Sequence, residues 1–333
     1  MRRPRFWNDT SLLTNVLAPI GLIHHFISRQ NYRLQKTYHS NAPVICIGSP
    51  IIGGGGKTPV VIAIQKLLLK KNKKISATSV CYKGKIKYPV LINKSHTSID
   101  VGDEPLLLSQ FCETFVSKNR KAAIKMANNY SKYDYIVSED GYRNVSIKNK
   151  INVLVIDGNM PTINLKQFPA GDLLGSMDYT LSIADILILI DKEKIDDEII
   201  EKIKNYKKYY VAAKSEYQIR NDYKSKKIAF TGIGMPKKFY NTLKELKIKS
   251  VQNLTYPNHF QYSRNDVKHL LKIAAVHGKH SLLTTSKDFV RFNDQNDPNR
   301  QLRNQVDVLD ISIKIDHPDD LLKYISAKIH KLN

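Results

Sequence analysis

The sequence predicts an α/β protein: a mainly parallel sheet with helices on both faces, a second, smaller α/β domain, and an amphipathic helix at the N-terminus. Three observations carry this. The apolar run Val44-Ile45-Cys46-Ile47 leads through Gly53-Gly54-Gly55-Gly56-Lys57-Thr58-Pro59 into Val60-Val61-Ile62-Ala63-Ile64, a strand, a glycine loop and a helix in succession. Further apolar strands at 135–138, 151–157 and 184–190 alternate with helical patterns, as in a sheet buried on both faces. A second alternating unit begins near Lys227. The expected division is 1–30 for the N-terminal helix, 31–215 for the core and 216–333 for the smaller domain.

The first element in chain order is the amphipathic helix. Leu12, Leu13, Val16, Leu17, Ile20, Ile23 and Ile27 recur at spacings of three and four. Asp9 or Thr10 is placed to cap it and Pro19 to kink it. Thr14, Asn15, His24 and His25 interrupt the stripe, which is too short and too polar to span a bilayer. No small-residue cleavage pattern of a signal peptide accompanies it. Arg2, Arg3 and Arg5 precede the stripe, and Arg29, Arg33 and Lys36 follow it. Such a flanked stripe suits the interface of an anionic membrane. It suits equally a helix packed on its own domain.

The glycine loop comes next and has the chemistry of a phosphate cradle. Glycines let the backbone approach phosphates closely with N–H groups pointing inward, and a helix N-terminus adds partial positive charge. Lys57 would reach the β- and γ-phosphates, and the Thr58 hydroxyl would ligate Mg²⁺. The core is therefore expected to be P-loop NTPase-like, with Gly53, Gly54, Gly55, Gly56, Lys57 and Thr58 binding the nucleotide. The position five residues before Gly56, glycine in G-x-x-x-x-G-K-T, is Ile51, so Gly53-Gly54-Gly55 must supply the bend. A flexible hairpin with an incidental lysine would explain neither the strand before nor the helix after.

The cradle helix is expected to run to about Lys70, followed by a strand at 74–81 and a short one at 90–92. Val101-Gly102-Asp103-Glu104-Pro105 opens a helical run through Phe111. Phosphoryl transfer needs carboxylates at strand ends, to hold Mg²⁺ and to take a proton from the attacking hydroxyl. Glu139-Asp140, between an apolar strand and Gly141, is one candidate pair. Asp103-Glu104 is the other, and serves equally as a helix cap. The charged stretch 191–208 reads as a solvated helix and then a connection. In the second unit a strand at 228–234 precedes a helix from Pro236 to Leu246, and a strand at 281–285 ends at Ser286-Lys287-Asp288. His259 sits in the aromatic loop Tyr256-Pro257-Asn258-His259-Phe260, where it would orient a catalytic carboxylate or make a structural hydrogen bond. Lys287-Asp288 would bind substrate or form a structural pair.

Composition adds bounds. The net charge of +23 attracts anionic partners, among them nucleic acid, acidic lipid and phosphorylated substrates, without choosing between them. Abundant Asn and Ile beside the lysines also fit a lysine-favouring genome. Cys46, Cys81 and Cys112 form no C-x-x-C, so neither a zinc site nor a disulfide frame is indicated, and a reducing cytoplasm fits.

Taken together, the N-terminal helix, the Gly53–Pro59 loop, Gly102-Asp103-Glu104-Pro105, Glu139-Asp140-Gly141-Tyr142, Phe168-Pro169-Ala170-Gly171, Thr231-Gly232-Ile233-Gly234-Met235-Pro236, Pro257-Asn258-His259 and Leu283-Thr284-Thr285-Ser286-Lys287-Asp288 resemble, in this order, the tetraacyldisaccharide 4′-kinase family of Gram-negative lipid A synthesis. Its loop reads G-G-x-G-K-T-P, which accounts for Ile51. The resemblance implies ATP-dependent phosphorylation of the 4′-hydroxyl of a tetraacylated glucosamine disaccharide 1-phosphate. It implies Asp103 as base, His259 as its partner across a closing domain cleft, Glu104 and Glu139 with Thr58 as metal contacts, and Asp140 as the second catalytic carboxylate. ATP and Mg²⁺ are the implied cofactors and an anionic glycolipid the substrate. Also implied are a monomer in peripheral contact with the cytoplasmic face of the bacterial inner membrane, and no nucleic-acid partner.

Departures fall mostly on the acceptor side. S-R-G-Y becomes Ser79-Val80-Cys81-Tyr82, D-D-G-F-Q becomes Glu139-Asp140-Gly141-Tyr142-Arg143, P-L-R-E-P is replaced by Asp172-Leu173-Leu174-Gly175-Ser176, and D-H-H becomes Asn258-His259-Phe260. A rival class, partitioning or positioning ATPases that bind DNA or membrane, opens its loop with lysine in K-G-G-x-G-K-[ST]. That position is Ile52 here. A non-catalytic nucleotide-binding module would not be expected to keep both acidic pairs.

Overall fold

The computed structural model describes residues 4–8, 11–160, 164–220, 226–278, 281–292 and 299–332. Arg2, Arg3, Asp9 and Thr10 lie outside these residues, as do the side chains of Arg5, Arg29 and Arg33.

Among the described residues, twelve strands join into one sheet. They are β1 (Tyr38–Gly48), β2 (Ile75–Val80), β3 (Val90–Leu91), β4 (Glu113–Ser117), β5 (Tyr135–Glu139), β6 (Ile147–Asp157), β7 (Ile186–Ile190), β8 (Tyr209–Ile219), β9 (Lys227–Thr231), β10 (Ser250–Thr255), β11 (Leu282–Thr285) and β12 (Val306–Ile315), in the order β10-β9-β11-β12-β8-β7-β6-β1-β5-β2-β4-β3. Nine of the neighbouring pairs are parallel, and only β8–β12 and β3–β4 run antiparallel.

The pleat explains why both faces carry helices. Val153 and Val155 of β6 pack with Ile45 and Ile47 of β1 beneath the helix after the glycine loop and the C-terminal helix Pro318–His330, through Val60, Ile64, Leu68, Leu321 and Ile325. Leu154 and Ile156 point the other way and meet Met177, Leu181, Ile199 and Ile203. Val44 and Cys46 share that second face with Ala123, Ile124 and Ala127 of the helix Arg120–Tyr130. Continuous burial on both faces is what makes Val44–Ile47, fully buried, read as an unbroken apolar run.

The fold class is the expected one, with corrections to its elements. The run opened at Asp103 ends as a helix at Leu108 rather than at Phe111. The connection after 208 is β8, and residue 215 lies inside it. Its burial alternates with polar, half-exposed positions, so it lacks the apolar signature of the central strands. β4, the helix Arg120–Tyr130, β12 and the helix Pro318–His330 are further elements not assigned from the sequence.

The N-terminal helix, α1 (Leu12–Arg33), continues through Pro19. Its inner side rests on the segment around Phe168-Pro169-Ala170-Gly171. Trp7 donates its indole N–H to the Pro169 carbonyl (2.9 Å), and Lys166 donates to Thr14 Oγ1 (3.3 Å) and to Asn15. A Cβ on Gly21 would lie 3.1 Å from the carbonyl oxygens of Gln167 and Phe168, so glycine permits backbone to approach backbone there. Leu12, Leu13, Val16, Ile20, Leu22, Ile23 and Ile27 face outward, with Leu13 the least exposed at 49%. No described helix is long and apolar enough to cross a membrane.

Candidate active site

The glycine loop joins β1 to the helix α2 (Lys57–Lys70). Gly53, Gly54 and Gly56 hold φ of 68°, 65° and 70°, in the left-handed region that costs other residues strain. Ile51 supplies no bend. It is 1% exposed and bridges to Leu173, while the Ile52 N–H donates to the Asp172 carbonyl (2.9 Å). The loop is thus pinned at its entrance by the segment that replaces P-L-R-E-P, and the glycines after it turn the chain.

Two carboxylates from the end of β5 meet the start of α2. Lys57 Nζ lies 3.2 Å from Asp140 Oδ1, and Arg120 donates to Asp140 Oδ2 at 2.6 Å. Desolvation works against the charge of Asp140, but Lys57 and Arg120 outweigh it and keep the carboxyl below its ordinary pKa. Asp140 itself sits at φ 57°, the αL turn that swings its side chain toward the lysine. Glu139 points differently. Thr58 Oγ1 donates to its Oε1 (2.7 Å) and Ser79 Oγ to its Oε2 (2.8 Å). Burial, then the nearby Glu104 charge, push the Glu139 pKa up despite these donors. A carboxylate this costly to ionise, beside a hydroxyl and a second carboxylate, is an all-oxygen donor set that fits a hard cation such as Mg²⁺.

The second acidic pair opens the helix Asp103–Leu108. His259 Nδ1 lies 2.8 Å from Asp103 Oδ1, and Arg291 donates from Nη2 to Asp103 Oδ2 at 2.6 Å. Burial opposes ionisation of Asp103, which is 3% exposed, but the hydrogen bond from His259 and the charge of Arg291 hold its carboxyl well below the usual range. Glu104 pairs with Lys287 (2.8 Å). Partial burial opposes the Lys287 charge, but Glu104, Asp103 and Glu139 raise its pKa. Asp103, Glu104 and His259 bring one donor atom each within 4.8 Å of one another.

The glycine loop with Lys57 and Thr58 lines one cleft of about 1010 Å³ together with Asp103, Glu104, Glu139, His259, Lys287 and Arg291. Asp140 reaches it through Lys57. The structure therefore brings the phosphate loop, both acidic pairs and His259 together. It also adds residues that sequence reasoning passed over. Arg291 and Arg120 carry no local motif. Lys238 bonds Asp157 at the end of β6, under the loop, where a Cβ on Gly56 would lie 3.1 Å from Asp157 Oδ2. Met235 lies over Gly54.

A mainly parallel sheet with a strand–glycine loop–helix cradle at its centre, facing carboxylates at neighbouring strand and helix ends, defines a P-loop NTPase-like protein. Comparison narrows the class. The family model of tetraacyldisaccharide-1-P 4′-kinase matches residues 13–330. A tetraacyldisaccharide 4′-kinase of Rickettsia typhi is 30% identical over 325 residues, 98% of either chain, and that of Rickettsia canadensis is 29% identical over 330 residues, 99% of this chain and 98% of its own. A crystal structure of LpxK from Aquifex aeolicus in complex with ATP shares the fold, with a TM-score of 0.74 at 22% identity over 96% of this chain and 99% of that one. The chain belongs to the tetraacyldisaccharide-1-P 4′-kinase family.

Proposed function

We propose that this chain transfers the γ-phosphate of ATP to the 4′-hydroxyl of a tetraacylated glucosamine disaccharide 1-phosphate, forming lipid IVA in lipid A synthesis. The observation that carries the reading is one cleft lined by both the Lys57 loop and a buried Asp103 bonded to His259. The amides of Gly53–Gly56 and the ammonium of Lys57 hold the triphosphate, with Asp140 and Arg120 fixing where Lys57 points. Asp103 accepts the proton of the sugar hydroxyl as its oxygen bonds to the γ-phosphorus and the bond to the bridging oxygen of ADP breaks. His259, from the smaller part of the chain (216–333), steadies Asp103 and favours its ionised form. Thr58, Glu104 and Glu139 would hold Mg²⁺, which when bound neutralises charge on the phosphates.

Incubation with γ-labelled ATP and tetraacyldisaccharide 1-phosphate is expected to yield labelled bisphosphorylated lipid. Absence of label from the lipid, with ATP intact, overturns the reading.

The acceptor is an amphiphile, and the outward stripe on α1 supports peripheral docking of a monomer on the cytoplasmic face of the inner membrane. The basic surface is then matched to anionic lipid, with no nucleic-acid partner. Replacing Leu13, Ile20 and Ile23 together by Ser is expected to reduce co-sedimentation with anionic liposomes by about 10-fold or more, since each exposed aliphatic side chain inserted into lipid contributes about 1.5–3 kcal/mol. Undiminished co-sedimentation rejects the docking.

A further inference from the structure

We infer that Arg291, anchored by Asp288, is a positioning residue for the Asp103 carboxylate, an inference that rests on Asp103 acting as the base. The Arg291 side chain is 1% exposed and joins two carboxylates. Nη2 donates to Asp103 Oδ2 at 2.6 Å, and Nη1 donates to Asp288 Oδ1 at 2.7 Å and to the Gly232 carbonyl at 3.0 Å. Asp288 is fully buried and has no freedom of its own. It also accepts from Thr231 Oγ1 (2.6 Å), the Gly232 N–H (2.9 Å), Thr285 Oγ1 (2.8 Å) and the Tyr262 hydroxyl (3.0 Å). A carboxylate with that many donors is a fixed post, and the planar guanidinium tied to it has one orientation left.

The geometry matters because Asp103 belongs to the other part of the chain, 188 residues away. The helix it opens has six residues, and the hydrogen bonds of its carboxylate run to His259 and Arg291 rather than within that helix. Two groups from residues 216–333 set the carboxylate's direction: His259 Nδ1, 2.8 Å from Oδ1 and 3.1 Å from Oδ2, and Arg291, which donates to Oδ2. The lone-pair directions they leave are those available to an incoming hydroxyl in the cleft. Asp288 would by itself supply a counterion to Arg291, so the arginine does not need Asp103 in order to be paired. That bond aims the base.

Arg291→Lys tests this, because the ammonium keeps the charge and loses the fork that holds both carboxylates at once. We expect kcat to fall about 10- to 100-fold, the scale of a displaced reacting group, with KM for ATP unchanged. Introduced into Asp103→Asn enzyme, the same substitution should cause no further loss in single-turnover transfer, since the group it aims is already gone. Asp288→Asn, which loosens the post and keeps the arginine, should reproduce the pattern more weakly. Thermal unfolding of each variant separates lost aim from lost fold. Wild-type kcat in a folded Arg291→Lys enzyme, or losses that multiply in the double variant, overturn the inference. Wild-type turnover by Asp103→Asn alone instead removes the base on which it rests.

Discussion

Asp103→Asn is expected to lower kcat by about 10³-fold, in the middle of the range for a positioned general base. The amide has nearly the shape of the carboxylate but cannot accept the hydroxyl proton, so the change falls on the chemical step. Nucleotide affinity should be retained, because the phosphate loop is built from different residues of β1 and α2. The substitution also removes the anion between Arg291 and His259, and Arg291 keeps Asp288 as counterion. The folded state should therefore survive. Single-turnover transfer from γ-labelled ATP, beside equilibrium binding of ATP, checks both halves of the expectation. Normal turnover would exclude Asp103 from the reaction.

Lys57→Ala is expected to lower kcat/KM for ATP by about 10²–10³-fold, the cost of deleting one preorganised charge from a site where negative charge moves. The lysine is held before use: α2 starts on it, and Asp140 and Arg120 fix the position of its ammonium. Its removal leaves Asp140 paired with Arg120 alone, so the carboxylate keeps a partner and stability should change little. Lys57→Arg would not restore activity fully, because a broad guanidinium does not replace a compact point charge beside a tight loop. Steady-state kinetics against ATP concentration decide the matter, and unchanged kinetics reject the cradle.

What was legible in the sequence was local. The strand, glycines and lysine of the cradle lie within one short segment, and the acidic pairs announce themselves by their places at a strand end and a helix start. The unbroken apolar run Val153–Ile156 is a property of the chain alone, and such runs alternating with helical segments carry the sheet class; that its residues divide between two faces is visible only in the structure. Ile51 was legible as a departure, yet its reason was not, since its partner Leu173 lies on a distant loop. Arg291 carries no signal for the same cause: an arginine in the short turn Val290–Phe292 has no pattern until Asp103 reaches it from a distant helix. β8 and β12 escaped because half-exposed strands mix polar and apolar residues. The loop around His259 fits an orienting or a structural role alike, the family resemblance pairs it with Asp103, and the 2.8 Å separation agrees with that pairing.

The antiparallel pairing of β12 with β8 has a mechanical consequence. Seven register pairs, from Leu309↔Ile219 to Ile315↔Ala213, stitch the strands beyond β12 (β11, β9 and β10) to those beyond β8 (β7, β6 and β1). Parting the two as separate bodies would unzip that seam and strip backbone groups of their bonds. A rearrangement that kept these bonds would have to twist the sheet rather than separate its two ends.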